Sequence, residues 1–479
     1  MKKLYCLIAI CLILPFILVG CGKAQENLTT YKIAGVYDEN SHTLTCTQEV
    51  EYVNNSDNLL SCVKFFLYPN SFKEVAVSSA YLERAYPNGE SFGNINFTSI
   101  MADCSECEYS VSDEGNILTV QIDEIFPEES VSIFLEYVVT LANINHRLGY
   151  GENTINFGNF YPIACVYENG FVENDFASNG DPFYSDIANY EVSLTFNEKY
   201  TLATSGEVTS EKLENGKKEV KIKGEKLRDF CFVLSDNFEM ISNEINGVKV
   251  NYYYYDDDNA TQNLETACLA LSTFSDLFGE YPYKELNIVK TNFCFGGMEY
   301  PNLVYISDAV TDLETYEYVI VHEIAHQWWY SVVGNNEFSE AWLDESLTEY
   351  STLLFYEKTG RGDYASMTSG ALNSYRLFVE VYEGVRGDVD ESMNRNLSSF
   401  STEPEYVNCV YTKGVLLFDS LRAMLGDNKF FKCLENYFDD YAFKNSSSAK
   451  LIESFSKTAR MDLEGYFNSW LNGTVKLSD

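Results

Sequence analysis

The segment His322-Glu323-Ile324-Ala325-His326 constrains this chain more than any other, because it holds two of the four histidines in the sequence. Residues four apart lie on one face of an α-helix, so both imidazoles can point at the same spot, and Glu323 projects close to it. The apolar flanks, Val319–Val321 and Trp328-Trp329, favour a buried helix. Buried histidines need partners, and a metal ion satisfies two at once. The segment predicts a metal-binding helix; the alternative is a core helix whose histidines are only hydrogen-bonded.

The third metal ligand is predicted to be Glu345. A catalytic zinc ion usually takes three protein ligands and keeps one position open. Eighteen residues separate His326 from Glu345, which lies in a second stretch of helical periodicity, Glu340–Tyr350. The intervening turn at Gly334-Asn335-Asn336 would let the two helices pack antiparallel, so that the carboxylate meets the histidines. Glu349, one turn after Glu345, is expected either to orient a histidine or to lie on a solvated helix face.

This arrangement resembles the gluzincin zinc aminopeptidases of the aminopeptidase N family, which includes leukotriene hydrolase. The family has the same H-E-x-x-H pattern, the same spacing, and a glutamate in a segment like Trp342-Leu343-Asp344-Glu345-Ser346. Its G-x-M-E-N motif resembles Gly296-Gly297-Met298-Glu299-Tyr300, and its Y-x-K-G motif resembles Tyr411-Thr412-Lys413-Gly414. These motifs stand in the family's order, and the resemblance covers most of the chain from about residue 245 onward.

The resemblance implies a role for each of these residues. Three would hold one zinc ion: His322, His326 and Glu345. Glu323 would act as general base, and Tyr411 would donate a hydrogen bond to the oxyanion of the tetrahedral state. Four would bind substrate, with Glu299 pairing with a free α-amino group: Gly296, Gly297, Met298 and Glu299. The implied function is a zinc-dependent aminopeptidase that acts on peptides with a free N-terminus.

Other functions remain open at this stage. A zinc endopeptidase of thermolysin type would share the ligands without needing Glu299. An epoxide hydrolase activity is a further alternative, and a non-catalytic lipoprotein could bind peptides through the same fold. The net charge of −39 excludes nucleic-acid binding through a basic surface.

The chain departs from the family pattern at several positions. Tyr300 stands where asparagine is usual, and Asp344 and Ser346 flank the third ligand where asparagine and glycine are common, which leaves the fine substrate preference open. The family's second amine-binding residue, from the N-terminal domain, has no clear counterpart in the segment 159–164. Because the chain stops soon after Trp470-Leu471-Asn472-Gly473, the family's helical C-terminal domain is expected to be absent.

The N-terminus has the layout of an export signal. Lys2 and Lys3 precede an apolar run from Leu4 to Val19 that is short for a spanning helix. The run ends in Leu18-Val19-Gly20-Cys21, which resembles a bacterial lipobox. Residues 1–20 are therefore predicted to be a lipoprotein signal peptide and residues 21–30 a spacer carrying a lipidated Cys21, which would anchor the protein on the extracytoplasmic face of a bacterial membrane. The alternative is an ordinary signal peptide or an uncleaved anchor.

Hydrophobic periodicity divides the rest of the chain into two domains. In residues 31–244, apolar and polar residues alternate, as in Val131–Leu141 and Tyr190–Phe196, which predicts antiparallel sheets with one buried face. In residues 245–479, helical periodicity dominates, with helices expected at 415–425 and 430–441. Short strands are expected at Leu286–Val289 and Met298–Ile306. We therefore expect an α+β protein: an N-terminal antiparallel β-sandwich or saddle domain followed by a thermolysin-like, mainly helical zinc-peptidase domain.

Overall fold

A computed structural model describes residues 27–477. The predicted signal peptide, most of the spacer and Cys21 lie outside these residues. No helix within the described range is long and apolar enough to cross a membrane. Ten cysteines fall in this range and all are free, including Cys104 and Cys107, which are spaced as C-x-x-C.

The first half of the described chain is built from strands. One short α-helix, α1 (Leu82–Ala85), and a 3₁₀ helix at Tyr68–Lys73 lie among them. The strands are β1 (Thr30–Asp38), β2 (Thr43–Val53), β3 (Leu60–Phe66), β4 (Asn94–Ala102), β5 (Ser105–Glu106), β6 (Tyr109–Val111), β7 (Ile117–Ile125), β8 (Ser130–Thr140), β9 (Leu148–Tyr150), β10 (Ile155–Phe157), β11 (Ile163–Ala164), β12 (Ala188–Asn197), β13 (Thr201–Thr204), β14 (Glu207–Glu214), β15 (Lys217–Leu227) and β16 (Phe232–Ser235).

These strands form three sheets. The largest has eight strands in the order β14-β15-β12-β1-β2-β8-β4-β5, and two four-stranded sheets have the orders β13-β16-β10-β9 and β11-β3-β7-β6. Pairing is antiparallel except between β1 and β12. In β8, every second residue from Val131 to Val139 is buried, as the alternating pattern predicted. The predicted β-rich N-terminal domain is confirmed.

The second half combines one small sheet with a helical body. Its strands are β17 (Glu239–Ile245), β18 (Val248–Tyr254), β19 (Glu285–Thr291), β20 (Gly297–Met298), β21 (Leu303–Ser307), β22 (Val333–Gly334) and β23 (Lys444–Asn445). Its helices are α2 (Ala260–Phe278), α3 (Leu313–Ala325), α4 (Glu337–Glu340), α5 (Trp342–Thr359), α6 (Tyr364–Arg386), α7 (Glu403–Val407), α8 (Lys413–Leu425), α9 (Asp427–Tyr441), α10 (Ser448–Ala459) and α11 (Glu464–Leu471).

The small sheet has the order β17-β18-β19-β21-β20. The predicted domain boundary between residues 244 and 245 falls inside β17, which pairs along its length with β18. Continuity of the sheet favours a boundary before Glu239. Met298–Ile306 was predicted as one strand, but the structure divides it into β20 and β21. The chain turns between them because Pro301 lacks an N–H and Asn302 adopts a left-handed φ of 62°.

Two hydrophobic cores meet at this small sheet. The helical core includes Val304 and Ile306 of β21. Met298 and Tyr300, in contrast, pack into the core of the β-rich domain together with Phe160. The segment Gly296–Tyr300 therefore lies at the junction of the two domains, so residues from both can reach it.

Candidate active site

Helix α3 presents both histidines of the H-E-x-x-H segment on one face. The helix begins at Asp312, whose carboxylate accepts a hydrogen bond from the Thr315 N–H at 2.9 Å. It ends at His326, and the Nε2 atoms of His322 and His326 face each other at 3.2 Å. Both side chains are buried. The sequence thus places two imidazole nitrogens at a single point inside the protein.

Glu345 of α5 completes the cluster. Its Oε2 lies 3.4 Å from Nε2 of His322 and 3.2 Å from Nε2 of His326. This oxygen is buried and has no hydrogen-bond partner, as expected of an atom that coordinates a metal ion. Two nitrogens and one carboxylate oxygen in this arrangement suit a zinc ion with an open fourth position. The predicted zinc ligands are therefore brought together, and they fit the metal.

The second ring nitrogen of each histidine, Nδ1, also has a hydrogen-bond partner. Nδ1 of His322 lies 2.9 Å from Oε2 of Glu349, and Nδ1 of His326 lies 2.9 Å from the carbonyl oxygen of Trp329. Each acceptor holds the proton on Nδ1, so the Nε2 lone pair is directed at the metal position. The structure places Glu349 where the first of its two predicted roles requires, orienting a histidine.

Glu323 faces the segment Gly296–Tyr300. Its Oε2 is buried without a partner, and a Cβ atom on Gly297 would overlap its carboxyl group, so this position has room only for glycine. Burial raises the pKa of Glu323 to about 7, while the neighbouring histidines oppose the rise. A carboxyl group of this kind can accept and release a proton near neutral pH.

Tyr411 reaches the same point from a distorted helical turn. Residues Asn408–Thr412 form a turn of π-helix between α7 and α8, a distortion often found at functional sites. The Tyr411 hydroxyl donates a hydrogen bond to Glu345. Burial raises the pKa of the phenol above its ordinary value, and Glu345 raises it further, so Tyr411 keeps the proton that it donates.

Ser346 and Gly414 connect the ligand helix to this turn. The Ser346 hydroxyl donates to the carbonyl oxygen of Val410 at 2.6 Å, next to Tyr411. A Cβ atom on Gly414 would overlap Ser346, so the glycine of the Y-x-K-G motif allows the close approach. Ser346, which departs from the family's glycine, therefore makes a contact that a glycine could not make.

Glu299 lies just beyond β20 with one oxygen buried and unpartnered. The Gln327 amide holds this backbone by donating to the carbonyl oxygens of Glu299 and Tyr300, at 3.3 and 3.1 Å. The Tyr300 hydroxyl donates to Oδ1 of Asn159 at 2.6 Å, so this second departure from the family pattern ties the segment to the β-rich domain. Burial raises the pKa of Glu299, so a bound cation would favour its ionised form.

Two residues that the sequence did not identify complete the site. Asp181 and Arg147, both from loops of the β-rich domain, form a salt bridge at the cavity wall. The Asp181 carboxylate lies within 4.8 Å of oxygens of Glu299 and Glu345. Asp181 lies well beyond the segment 159–164, in which the family's second amine-binding residue was sought. The turn-forming Gly180-Asp181-Pro182 is the sequence signal that predicts its loop.

One cavity of about 300 Å³ is lined by the metal cluster together with Glu323, Tyr411, Glu299, Asp181 and Arg147. It opens between the two domains and exposes a metal position, a carboxyl group of raised pKa, a phenol and a pair of carboxylates. Such a cavity can hold a peptide end against a metal-dependent hydrolytic centre.

Comparison with known proteins agrees with this geometry. Residues 262–470 match the family model described as Peptidase family M1 domain. Aminopeptidase B of Rattus norvegicus is 29% identical over 229 residues, which cover 42% of this chain and 33% of that protein. Aminopeptidase N of Lactobacillus delbrueckii subsp. lactis is 23% identical over 339 residues, 65% of this chain and 38% of that protein. The chain thus spans little more than a third of the length of these curated relatives.

A solved structure shares the fold over nearly the whole chain. The M1 zinc metallopeptidase from Deinococcus radiodurans superposes with a TM-score of 0.67 at 17% identity, covering 95% of this chain and 97% of that one. The agreement confirms the predicted order of a β-rich domain followed by a mainly helical domain.

Proposed function

We propose that this chain, whose residues 262–470 match the Peptidase family M1 domain, is a zinc-dependent aminopeptidase of that family. The observation that carries the proposal is the position of Glu299 and Asp181 beside the metal cluster. Two carboxylates at that distance can bind the free α-amino group of a peptide, so that only its first peptide bond reaches the metal. An endopeptidase cleaves within a peptide chain and therefore does not need carboxylates that bind a free α-amino group.

Each step of hydrolysis has a residue in place. His322, His326 and Glu345 would hold a zinc ion, which would supply Lewis acidity and lower the pKa of a bound water. Glu323 accepts a proton from the attacking water at its carboxylate and passes it to the leaving amine. The Tyr411 hydroxyl donates a hydrogen bond to the substrate carbonyl oxygen as negative charge develops there.

The substrate class is supported by the relatives as well as by the cavity. Both named relatives are aminopeptidases, and a mutant of the Deinococcus radiodurans metallopeptidase has been solved bound to a Tyr-Ser-Ala substrate. A tripeptide with a free amino end suits the carboxylate pair here. We therefore infer that short peptides with a free N-terminus are the substrates.

A pair of peptides that differ only at the N-terminus tests the proposal. The zinc-loaded protein is expected to release the first residue from a free tripeptide and to leave its N-acetylated form intact, since acetylation removes the charge that Glu299 and Asp181 bind. Chelation should abolish the release, and zinc should restore it. Equal cleavage of both peptides would favour the endopeptidase alternative, and cleavage of neither, with zinc bound, would favour the non-catalytic one.

Attachment to a membrane is a separate proposal that rests on sequence alone. We infer that removal of residues 1–20 is coupled to lipidation of Cys21, which holds the protein on the extracytoplasmic face of a bacterial membrane, because Leu18-Val19-Gly20-Cys21 resembles a lipobox. A labelled fatty acid should be incorporated into the expressed full chain and not into its Cys21→Ser variant. Equal labelling of both would reject lipidation at this residue.

A further inference from the structure

A closed ring of residues surrounds the amine end of the cavity. Arg147, which pairs with Asp181, lies with its guanidinium carbon 5.3 Å from the centre of the Phe295 ring. Phe295 contacts the ring of Tyr81 edge-on, with centroids 4.7 Å apart. The Tyr81 hydroxyl donates a hydrogen bond to Glu403. The ring of residues thus runs from the β-rich domain across to α7.

The ring closes through Tyr406. This residue lies one turn beyond Glu403 in α7, and its aromatic ring lies 5.6 Å from that of Tyr411. A Cβ atom on Gly180 would press on the Tyr406 hydroxyl, so the glycine brings the Asp181 loop against it. All of these side chains line the same cavity as the metal cluster.

The position of this ring of residues indicates which part of the substrate it contacts. The proposed function places the amino group of the substrate at Glu299 and Asp181, and its first carbonyl beside Tyr411. The side chain of the first residue branches from the carbon between these two groups. It therefore projects toward the ring, whose residues line the same cavity.

The charges of the ring are unbalanced. Arg147 forms an ion pair with Asp181, whereas Glu403 accepts a hydrogen bond from the neutral Tyr81 hydroxyl and forms no ion pair within residues 27–477. The nearby Arg84 lies over the Tyr81 ring and donates to the carbonyl oxygen of Cys294 at 3.1 Å. An aromatic enclosure that ends in an unpaired carboxylate is suited to a cation.

We propose that this ring is the subsite for the side chain of the first residue, and that Glu403 makes it selective for a cationic side chain, arginine or lysine. The inference rests on the proposed function, which supplies the orientation of the peptide. On binding, Glu403 exchanges the Tyr81 hydroxyl for the guanidinium or ammonium group. Tyr81, Phe295 and Tyr406 then surround the apolar stem of that side chain.

Arginine and citrulline have side chains of nearly the same shape, but only that of arginine is charged. Comparing the two substrates therefore tests the effect of the charge alone. Arginyl and citrullyl p-nitroanilides are supplied to the zinc-loaded full chain, and kcat/KM for arginine is expected to exceed that for citrulline by about tenfold or more, the effect of one charged hydrogen bond. Glu403→Gln should bring this ratio to about one. Glu380→Gln, on the exposed face of α6, should leave it unchanged.

Binding of the free amino acids decides the question even without turnover. L-arginine and L-citrulline are titrated calorimetrically into the zinc-loaded parent, Glu403→Gln and Tyr81→Phe proteins. Arginine should bind more tightly to the parent and to Tyr81→Phe, which keeps the carboxylate, and the two should bind alike to Glu403→Gln. A parent that does not discriminate, or a ratio that survives Glu403→Gln, would overturn the proposal. Discriminating binding without hydrolysis of either anilide would reject the aminopeptidase activity and retain the cationic subsite.

Discussion

Glu323 has the two properties required of a general base at this site. Its carboxyl group is buried next to the metal position with one oxygen unpartnered, and burial raises its pKa to about 7. Replacement by glutamine keeps the size of the side chain and removes its ability to accept a proton. We expect Glu323→Gln to lower kcat by about 10²- to 10⁴-fold while zinc content, measured by atomic absorption, is unchanged. A variant that keeps most of its activity with a full complement of zinc would refute this role.

Asp181 is expected to act on the substrate's amino group together with Glu299. Asp181→Asn removes one of the two negative charges facing that group, so kcat/KM for a free tripeptide should fall by about tenfold. Asp175→Asn, an exposed change in the same loop, should have no effect. If the two variants behave alike in a peptide-release assay, Asp181 does not bind the amine.

The sequence predicted the site residues whose positions follow from their spacing along a helix. It did not predict the residues that reach the site only through contacts between distant parts of the chain. His322, His326 and Glu323 share one helical turn, so their convergence follows from local structure. Asp181 comes from a loop of the other domain, far from every motif, and no periodicity connects it to Glu299. Its place depends on how the two domains pack, which the local pattern does not specify.

At the scale of elements, the contact between α5 and the π-helical turn has a measurable function. Ser346→Ala removes the hydrogen bond to the Val410 carbonyl oxygen, which should lower the free energy of unfolding by about 1 kcal/mol in urea titrations. Because that carbonyl lies next to Tyr411, kcat should also fall several-fold while KM stays near the parent value. Ser369→Ala, on the exposed side of α6, is the control. An unchanged kcat would mean that the bond does not position Tyr411.

The predicted strands and helices were confirmed where the hydrophobic periodicity and the length of the segment indicated the same type of element. The strand predicted at Leu286–Val289 lies within β19, and the helices predicted at 415–425 and 430–441 lie within α8 and α9. The continuous strand predicted over Met298–Ile306 was wrong because the apolar run hid a turn at Pro301-Asn302. The long helix α6 was not anticipated, since its exposed face carries Leu377, Val381 and Val385 and blurs the amphipathic pattern.

At the scale of the whole molecule, Arg228 of the β-rich domain reaches into the helical domain. Its guanidinium donates to the carbonyl oxygens of Tyr330 at 2.7 Å, Ser185 at 2.6 Å and Lys444 at 3.2 Å, and also to the Asn445 side chain. The side chain is almost fully buried. Tyr330 directly follows Trp329, whose carbonyl oxygen orients His326, so this contact connects the packing of the domains to the metal centre.

Arg228→Lys should therefore weaken both the fold and the metal site. Lysine keeps the charge but cannot bond in several directions at once, so buried carbonyl oxygens lose their donors at a cost of about 1–3 kcal/mol each. We expect a lower thermal midpoint and weaker zinc retention in a chelator competition, because the turn that carries the Trp329 carbonyl loosens. Lys221→Arg, on the exposed face of β15, should change neither measurement. A lower midpoint with unaltered zinc retention would show that Arg228 stabilises the domain junction without supporting His326.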